Sequence, residues 1–507
     1  MISRTQKSAR NTLFSVIFQL VTLLCNFIMK TVFIKNLGIQ YTGIFALFTD
    51  ILMVLSVAEL GFSTAVSYAL YRPLSENDTL QIAKLMKLYK KIYRVVFSVV
   101  VVAGIVSLLF LNFIVRDIPD IKENIHIIFV FFLLKTAVSY LFVYKATLLD
   151  ANQESHIVSI VGTVSCVVAT ILETLVIILF KSYMGYLFIM VITVVIQNVI
   201  LSVVADRRYP LLKVSCNEEI TVSEKKDLFK NVRALAIYKV CAALQKSVDS
   251  IIISTMLGTV SVGLLSCYKM IFGNTDLLFS QVFEAAKPGV GNVAASESSE
   301  KQHEVFKKMC FLAFVIGNFI TVSLVVLSNP FVELWLGSEY LLGMNIVVVL
   351  AADVYIITMV RPYEAFRNAN ALFVQGKYRP AIMIVINIVL SIAFAKKMGV
   401  YGVLFATVLS RLLTHVWYDP WLVYRKVFHK PFSEYIKVKL KYIFIVTVNC
   451  IGVYSLCSYI KFDSLWVSFF VKILCCAIVP NTVVLILFFR NQEFRSLTKS
   501  FQAIIKK

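Results

Sequence analysis

Apolar segments of about twenty residues recur along the chain and are separated by short basic or turn-rich breaks. About 20 residues of α-helix cross the hydrocarbon core of a bilayer, so each segment predicts one membrane-spanning helix. The least distinct break is Lys397–Gly399, between the eleventh and twelfth helices. The fourteen predicted helices cover 11–34, 43–66, 95–115, 125–148, 156–180, 184–205, 234–257, 261–285, 309–328, 343–366, 380–396, 400–424, 441–460 and 465–489. This pattern predicts an all-α polytopic membrane protein.

The segment 234–257 combines an apolar pattern with three charges, Lys239, Lys246 and Asp249. Three charges at mid-helix cost roughly 8–10 kcal/mol on insertion scales, and the nine Leu, Ile and Val residues offset about half of that. At about 100° per residue the charges fall within an arc of roughly 80°. The helix is therefore predicted to turn one polar face toward water or partner charges, as in a transport pathway.

Composition supports a membrane protein and argues against a nucleic-acid partner. The 507 residues are 59% hydrophobic and only 16% charged, a balance that would leave large exposed apolar patches on a soluble domain. The net charge of +21 is concentrated in the short loops, where anionic lipid headgroups are the expected partner.

The distribution of Lys and Arg among the loops predicts the orientation. Most of these residues fall in one set of alternate loops and in both termini, which are therefore predicted to be cytoplasmic. The opposite loops hold only Lys35, Arg116, Lys122, Lys181, Lys396, Lys397 and Lys461.

The chain also shows a weak internal repeat. Leu37-Gly38 with Gly43 returns as Leu257-Gly258 with Gly263, and Ala151-Asn152 returns as Ala369-Asn370. This offset matches helices one to six with helices seven to twelve, which predicts two parallel six-helix bundles and a C-terminal helix pair. The predicted domains are 1–206, a cytoplasmic linker 207–233, the second bundle 234–430, and the helix pair with a tail, 431–507.

Two further helices carry polar stripes. Helix one aligns Ser15 and Lys30 with three polar residues between them, and helix eight aligns Lys269, Asp276 and Glu284. With helix seven, these stripes predict the walls of one central cavity. More charges in predicted helices are Asp50, Glu59 and Arg411, and nine residues between Asp50 and Glu59 put them on opposite faces unless helix two is bent.

Each charge also has a structural interpretation. A buried Lys and Asp, such as Lys246 with Asp249, can form an internal ion pair that only fixes helix packing. Lys30, near a helix end, can extend to the headgroups.

No pattern predicts a cofactor, a metal site or catalysis. The ten cysteines contain no CxxC pair, and the five histidines show no ligand spacing. Val374–Lys377 lacks the upstream glycine and the following Ser or Thr of a phosphate loop. We therefore expect a protein that is not an enzyme.

One region resembles a known family. Leu37-Gly38, Tyr41–Phe45, Leu55–Phe62 and Tyr68–Leu74 with Asn77-Asp78 resemble bacterial polysaccharide repeat-unit flippases, the O-antigen and capsule translocases. These belong to the multidrug/oligosaccharidyl-lipid/polysaccharide exporter superfamily. The later Ala365–Asn370 segment is also similar to this family.

The resemblance implies alternating access around a cationic cavity in the bacterial cytoplasmic (inner) membrane. The implied cargo is an undecaprenyl-pyrophosphate-linked oligosaccharide repeat unit, carried to the outer leaflet, with membrane lipids, a polysaccharide polymerase and a chain-length regulator as further partners. The substrate-binding candidates are then Lys30, Lys239, Lys246, Lys269 and Arg411, because a pyrophosphate needs compensating cations. The candidates for coupling to a cation are Asp50, Glu59, Asp249, Asp276 and Glu284.

Two other functions remain open from the sequence. A cation-coupled multidrug exporter of the same fold would favour an acidic cavity and usually twelve helices. A membrane polysaccharide polymerase would need a large folded external loop, whereas the predicted external loops are all short.

Overall fold

The computed structural model describes residues 4–59, 62–117, 120–210, 220–372, 375–459 and 462–505, and over these ranges the chain is α-helical without a strand. The helices are α1 (Arg4–Leu37), α2 (Ile39–Leu55), α3 (Phe62–Glu76), α4 (Thr79–Leu109), α5 (Leu111–Ile114), α6 (Ile125–Ala151), α7 (Ser155–Phe180), α8 (Tyr183–Arg208), α9 (Val222–Leu257), α10 (Thr259–Ser296), α11 (Ser299–Trp335), α12 (Met344–Ala369), α13 (Arg379–Val423), α14 (Phe432–Tyr459), α15 (Leu465–Phe488) and α16 (Gln492–Ile505).

The predicted fold class is confirmed. Eleven helices within the described ranges are long and apolar enough to cross a membrane. One of them, Arg379–Phe428, contains two predicted helices, because Gly399 departs from helical geometry with φ of 60°. The predicted helices 43–66 and 261–285 correspond to α2 with α3 and to α10. Each of the fourteen predicted helices therefore has a helical counterpart, and the chain is a multi-pass membrane protein.

Helix two is interrupted between Asp50 and Glu59. The α-helix α2 ends at Leu55, a 3₁₀ turn covers Ser56–Glu59, and α3 begins at Phe62. A 3₁₀ stretch inside a helical run often marks a strained or functional position. The carboxylate of Glu59 therefore lies at a break in the helix, not on a regular face.

The chain forms two compact units, Met1–Gly263 and Leu264–Lys507. In the first, which we call unit 1, α1 packs against α7 and α6 packs against α8 and α4. Unit 1 also contains α9, whose first turns are residues that the sequence assigned to the linker 207–233; residues 211–219 of that linker lie outside the described residues.

Two glycines of the predicted repeat meet within unit 1. A Cβ atom on Gly43 in α2 would lie 2.1 Å from the carbonyl oxygen of Thr259, and one on Gly263 would lie 2.6 Å from that of Ile39. Only glycine allows this backbone-to-backbone contact, which is the usual role of small residues where membrane helices cross closely. The preceding glycines, Gly38 and Gly258, both have positive φ, at 94° and 88°.

The second unit, unit 2, is held together around α11. Its buried core joins α11 to α12, α14 and α15, and includes the stacked rings of Phe314 and Tyr442, whose centroids are 4.1 Å apart. Asn449 of α14 donates a hydrogen bond to Asn318 Oδ1 at 3.0 Å. Such interhelical amide bonds stabilise packing where lipid gives no hydrophobic driving force. The C-terminal helix pair is thus an integral part of unit 2.

Candidate functional site

The residues proposed from the sequence are divided between the two units. Six belong to unit 1 and four to unit 2, and their convergence on one cavity stays a prediction. The unit 1 set is Lys30, Asp50, Glu59, Lys239, Lys246 and Asp249, and the unit 2 set is Lys269, Asp276, Glu284 and Arg411.

Glu59 accepts hydrogen bonds from tyrosines. The Tyr93 hydroxyl of α4 donates to Glu59 Oε1 at 2.6 Å, and Tyr140 of α6 lies within hydrogen-bonding reach of the same carboxylate. Behind Tyr93, the Tyr89 hydroxyl donates to the Tyr93 oxygen at 3.1 Å and lies 3.3 Å from Thr147 Oγ1. The interruption after α2 brings the carboxylate to this chain of hydroxyls, which the sequence did not predict.

The three charges of α9 differ in exposure. Lys239 is half-buried, Lys246 is exposed, and Asp249 is buried with 5% of its surface accessible. Asp249 therefore faces the interior of unit 1, where α9 packs on α2 and α3. The three charges therefore lie in different environments, and their predicted role in a transport pathway stays a prediction.

The stripe on helix one is partly used for packing. Ser15 lies 3.4 Å from Ser159 of α7, oxygen to oxygen, within the long contact between α1 and α7. Lys30 and Asp50 are half-buried, on α1 and α2. The Ser15 end of the stripe therefore faces α7. The predicted place of Lys30 in the wall of a cavity stays a prediction.

In unit 2 two carboxylates pair with arginines. Asp276 of α10 lies 2.6 Å from Arg361 Nη2, and Asp353 of α12 lies 2.6 Å from Arg411 Nε. Lys269 interacts electrostatically with Asp353 as well. Because all four paired side chains are mostly buried, these are charge-assisted pairs in a low-dielectric setting. Arg361 falls within the predicted helix 343–366, but its pair with Asp276 was not predicted from the sequence.

Glu284 has a different environment from the other candidates. Its Oε1 is 2.6 Å from Lys287 Nζ on the same helix, and both side chains are about half exposed. Exposed pairs at this spacing contribute little free energy. Its role in cation coupling stays a prediction, and this geometry does not support it.

A buried ion network that the sequence did not predict joins α12 and α13. The Oδ2 atom of Asp419 lies 2.7 Å from Arg367, 3.0 Å from Arg379 and 3.3 Å from His415 Nε2, and His415 is also 3.1 Å from Glu364. The signal in the sequence was the spacing of His415 and Asp419, which puts both on one face of a helix.

The ligand atoms of Glu364, His415 and Asp419 lie within 4.8 Å of one another, which a metal ion would require. However, Arg367 and Arg379 already contact the Asp419 oxygen that would bind the ion. Two guanidinium groups at that distance oppose a divalent cation. The cluster is accordingly an ion network that joins helices.

Two tyrosines of α3 form an exposed aromatic pair. The rings of Tyr68 and Tyr71 meet edge to face with centroids 5.6 Å apart, and 66% and 50% of their surfaces are accessible. Tyrosine combines an apolar ring face with a hydrogen-bonding hydroxyl, and so it suits partners that are partly apolar and partly polar.

Comparison with known proteins identifies relatives by family and by fold. A family model described as "Polysaccharide biosynthesis protein" matches residues 8–288. The structure of the lipid II flippase MurJ, inward closed conformation, has a TM-score of 0.68 and 16% sequence identity, covering 95% of this chain and 99% of that one.

Multidrug transporters share the same fold. An inward-facing multidrug resistance MATE family transporter of the MOP superfamily has a TM-score of 0.63 and 12% identity, covering 80% of this chain and 94% of that one. The Vibrio cholerae MATE transporter VcmN has a TM-score of 0.57 and 14% identity, covering 83% and 98%. No curated protein matches by sequence. At these identities the structural likeness shows the fold.

Proposed function

Because this chain belongs to the polysaccharide biosynthesis protein family, we propose that it is a flippase for a lipid-linked oligosaccharide. The cargo would be an undecaprenyl-pyrophosphate-linked repeat unit of a surface glycan such as O-antigen or capsule. It would move from the cytoplasmic to the outer leaflet of the bacterial inner membrane by alternating access. The family match on a multi-pass membrane fold is the observation that carries this proposal.

Two lysines of the predicted polar stripes support an anionic cargo. Lys239 lies in a membrane-spanning stretch of α9, and Lys269 lies in α10 beside the pair of Asp353 and Arg411. A pyrophosphate that crosses a low-dielectric region needs cations along its path. The exposed rings of Tyr68 and Tyr71 offer apolar faces against which sugar rings can stack.

We propose that Glu59 couples transport to a cation gradient. Its partners Tyr93 and Tyr140 present hydroxyls, which can stay in place whether the carboxylate is charged or neutral. Because these partners are neutral hydroxyls, neutralising Glu59 would leave no cation among them without a counter-charge. An intramembrane carboxylate in such a setting is a suitable site for a proton or a sodium ion.

The proposed transport is tested by reconstitution in liposomes. The probe is an undecaprenyl-pyrophosphate disaccharide with a fluorophore on the sugar, whose outer-leaflet fraction is quenched by an impermeant reductant. We expect wild-type protein to make the inner pool accessible, and Lys239→Ala or Lys269→Ala to abolish this while melting as the wild type does. Normal transport in both variants would contradict the cationic cavity.

A multidrug exporter of the same fold is separated from a flippase in the same vesicles. Cationic dyes loaded into the liposomes should be retained by a flippase and extruded by an exporter. Extrusion of dye without movement of the labelled lipid would replace the proposed function with the exporter.

A further inference from the structure

Unit 2 contains an apolar groove with one lysine at its end. A cavity of about 640 Å³ lies between α12, the second half of α13 and α14, with residues such as Val348, Tyr355, Ile443 and Ile451 along it. Lys439 is the one charged side chain among the described residues that line it. A volume in this range accommodates a drug-sized amphiphile.

The groove is long enough for an alkyl chain. Its lining runs from Met344 to Val360 on α12 and from Lys439 to Tyr454 on α14. At 1.5 Å of rise per residue each side spans about 22 Å, more than the roughly 15 Å of one leaflet's hydrocarbon. Ile443 and Ile451 are among its exposed residues, so the groove has an open apolar side where a lipid can enter.

The ammonium of Lys439 lies beside a carbonyl oxygen and two tyrosine rings. Its Nζ atom lies 3.3 Å from the carbonyl oxygen of Met359, and 5.5 Å and 5.9 Å from the ring centroids of Tyr363 and Tyr435. Among the residues that the structure describes, none places a carboxylate within 4.0 Å of this ammonium. Arg361 and Arg411, by contrast, each have one at 2.6 Å.

The apolar environment of Lys439 was not predicted from the sequence, because Lys439 is one of several basic residues before the predicted start of helix thirteen at 441. The structure begins α14 at Phe432, which puts Lys439 inside the helix and beside the groove. Two aromatic faces and a carbonyl supply only partial negative charge, and an ammonium in apolar surroundings is favoured by a full anion.

We propose that this groove binds an anionic membrane phospholipid, with the lipid phosphate on Lys439 and an acyl chain along the apolar lining. One ammonium matches the single charge of a phosphodiester. A pyrophosphate carries more charge and would need more than the one cation that lines the groove. The occupant is therefore a lipid of the surrounding bilayer and not the transported cargo, and this site is independent of the proposed transport.

The test is the lipid retained by the purified protein. Full-length protein is reconstituted in nanodiscs of equal parts phosphatidylglycerol and phosphatidylcholine with identical acyl chains. The protein is then released from the nanodiscs, and native mass spectrometry identifies the lipid that stays bound. We expect phosphatidylglycerol to be enriched about fivefold in the bound fraction, the ratio expected for about 1 kcal/mol from one lysine near an anionic surface. Lys439→Met should abolish the enrichment and Lys439→Arg should preserve it.

Two further variants keep the result interpretable. Lys437→Met removes a charge two residues away, outside the groove lining, and should retain the enrichment. Thr447→Trp fills the groove while keeping Lys439, and should lose bound lipid even if Lys439→Met does not fold. Equal binding of both lipids by the wild type, or the same loss in Lys437→Met as in Lys439→Met, would overturn the proposal. Displacement of phosphatidylglycerol by equimolar undecaprenyl pyrophosphate would also overturn it, by showing a cargo site.

Discussion

Glu59 in unit 1 and three aspartates in unit 2 have partners of different kinds. In unit 1, Glu59 accepts hydrogen bonds from tyrosine hydroxyls. In unit 2, Asp276, Asp353 and Asp419 lie against arginines at 2.6–3.0 Å. Protonating a carboxylate beside an arginine leaves a buried cation uncompensated, which costs several kcal/mol, whereas a hydroxyl partner only rotates. We therefore expect these three aspartates to hold helices together, whereas neutralising Glu59 would leave no arginine unpaired among its tyrosine partners.

The largest effect is expected from Asp419→Asn. This change leaves Arg367 and Arg379 buried without their shared carboxylate and should lower the free energy of unfolding by about 3–5 kcal/mol. Thermal melting of detergent-solubilised protein measures it. Asp353→Asn, which leaves a single arginine, should cost less. Equal melting temperatures for Asp419→Asn and the wild type would show that the network does not stabilise unit 2.

A double-mutant cycle on Asp276 and Arg361 tests whether that pair is structural. Each single change, Asp276→Leu or Arg361→Leu, should destabilise by leaving one unpaired charge, and the double variant should regain about 0.5–3 kcal/mol of the summed loss. The readout is again thermal melting, together with transport. If the double variant melts normally but transport no longer responds to a gradient, Asp276 takes part in coupling and the comparison fails.

Glu59→Gln should act on transport and leave stability unchanged. Glutamine keeps the size and still accepts a hydrogen bond from Tyr93, but it cannot take up a proton or bind a cation by charge. We expect transport under a proton or sodium gradient to fall about 5- to 150-fold, the usual range of an energetic coupling between sites, with gradient dependence lost. A variant that still responds to both gradients would exclude Glu59 from coupling.

The smallest effect is expected from Glu284→Gln. Its pair with Lys287 is half exposed, so the melting temperature should change by no more than the equivalent of about 0.5 kcal/mol. Transport should also be unchanged, since this carboxylate lies outside both kinds of buried site. Loss of gradient dependence in Glu284→Gln would instead support the predicted role of Glu284 in cation coupling.

The hydrophobic pattern predicted the helices well because the bilayer demands about 20 apolar residues for each crossing. It placed the break between the eleventh and twelfth helices at Lys397–Gly399, where the structure has the non-helical Gly399. It was less accurate where helices continue past the apolar segment: α12 extends to Ala369, and α14 starts at Phe432. Hydropathy reports burial in lipid, whereas a helix ends where its backbone hydrogen bonds end.

These extensions explain which site residues were missed. Arg367 and Lys439 lie just outside the predicted helices 343–366 and 441–460, where lysines and arginines usually meet headgroups, and Arg361 lies near the end of the first of these. In the structure they lie on helices and face neighbouring helices or the groove. Pairing between distant segments, such as Asp276 with Arg361, cannot be inferred from one sequence because any buried carboxylate could meet any of several cations.

The contact between Gly43 and Gly263 has a consequence for how such a chain can evolve. If the sequence repeat reflects an ancient duplication, the two glycines descend from one ancestral position and now press against each other's helices. A side chain gained in either copy would collide with the other, so neither copy is free to vary alone.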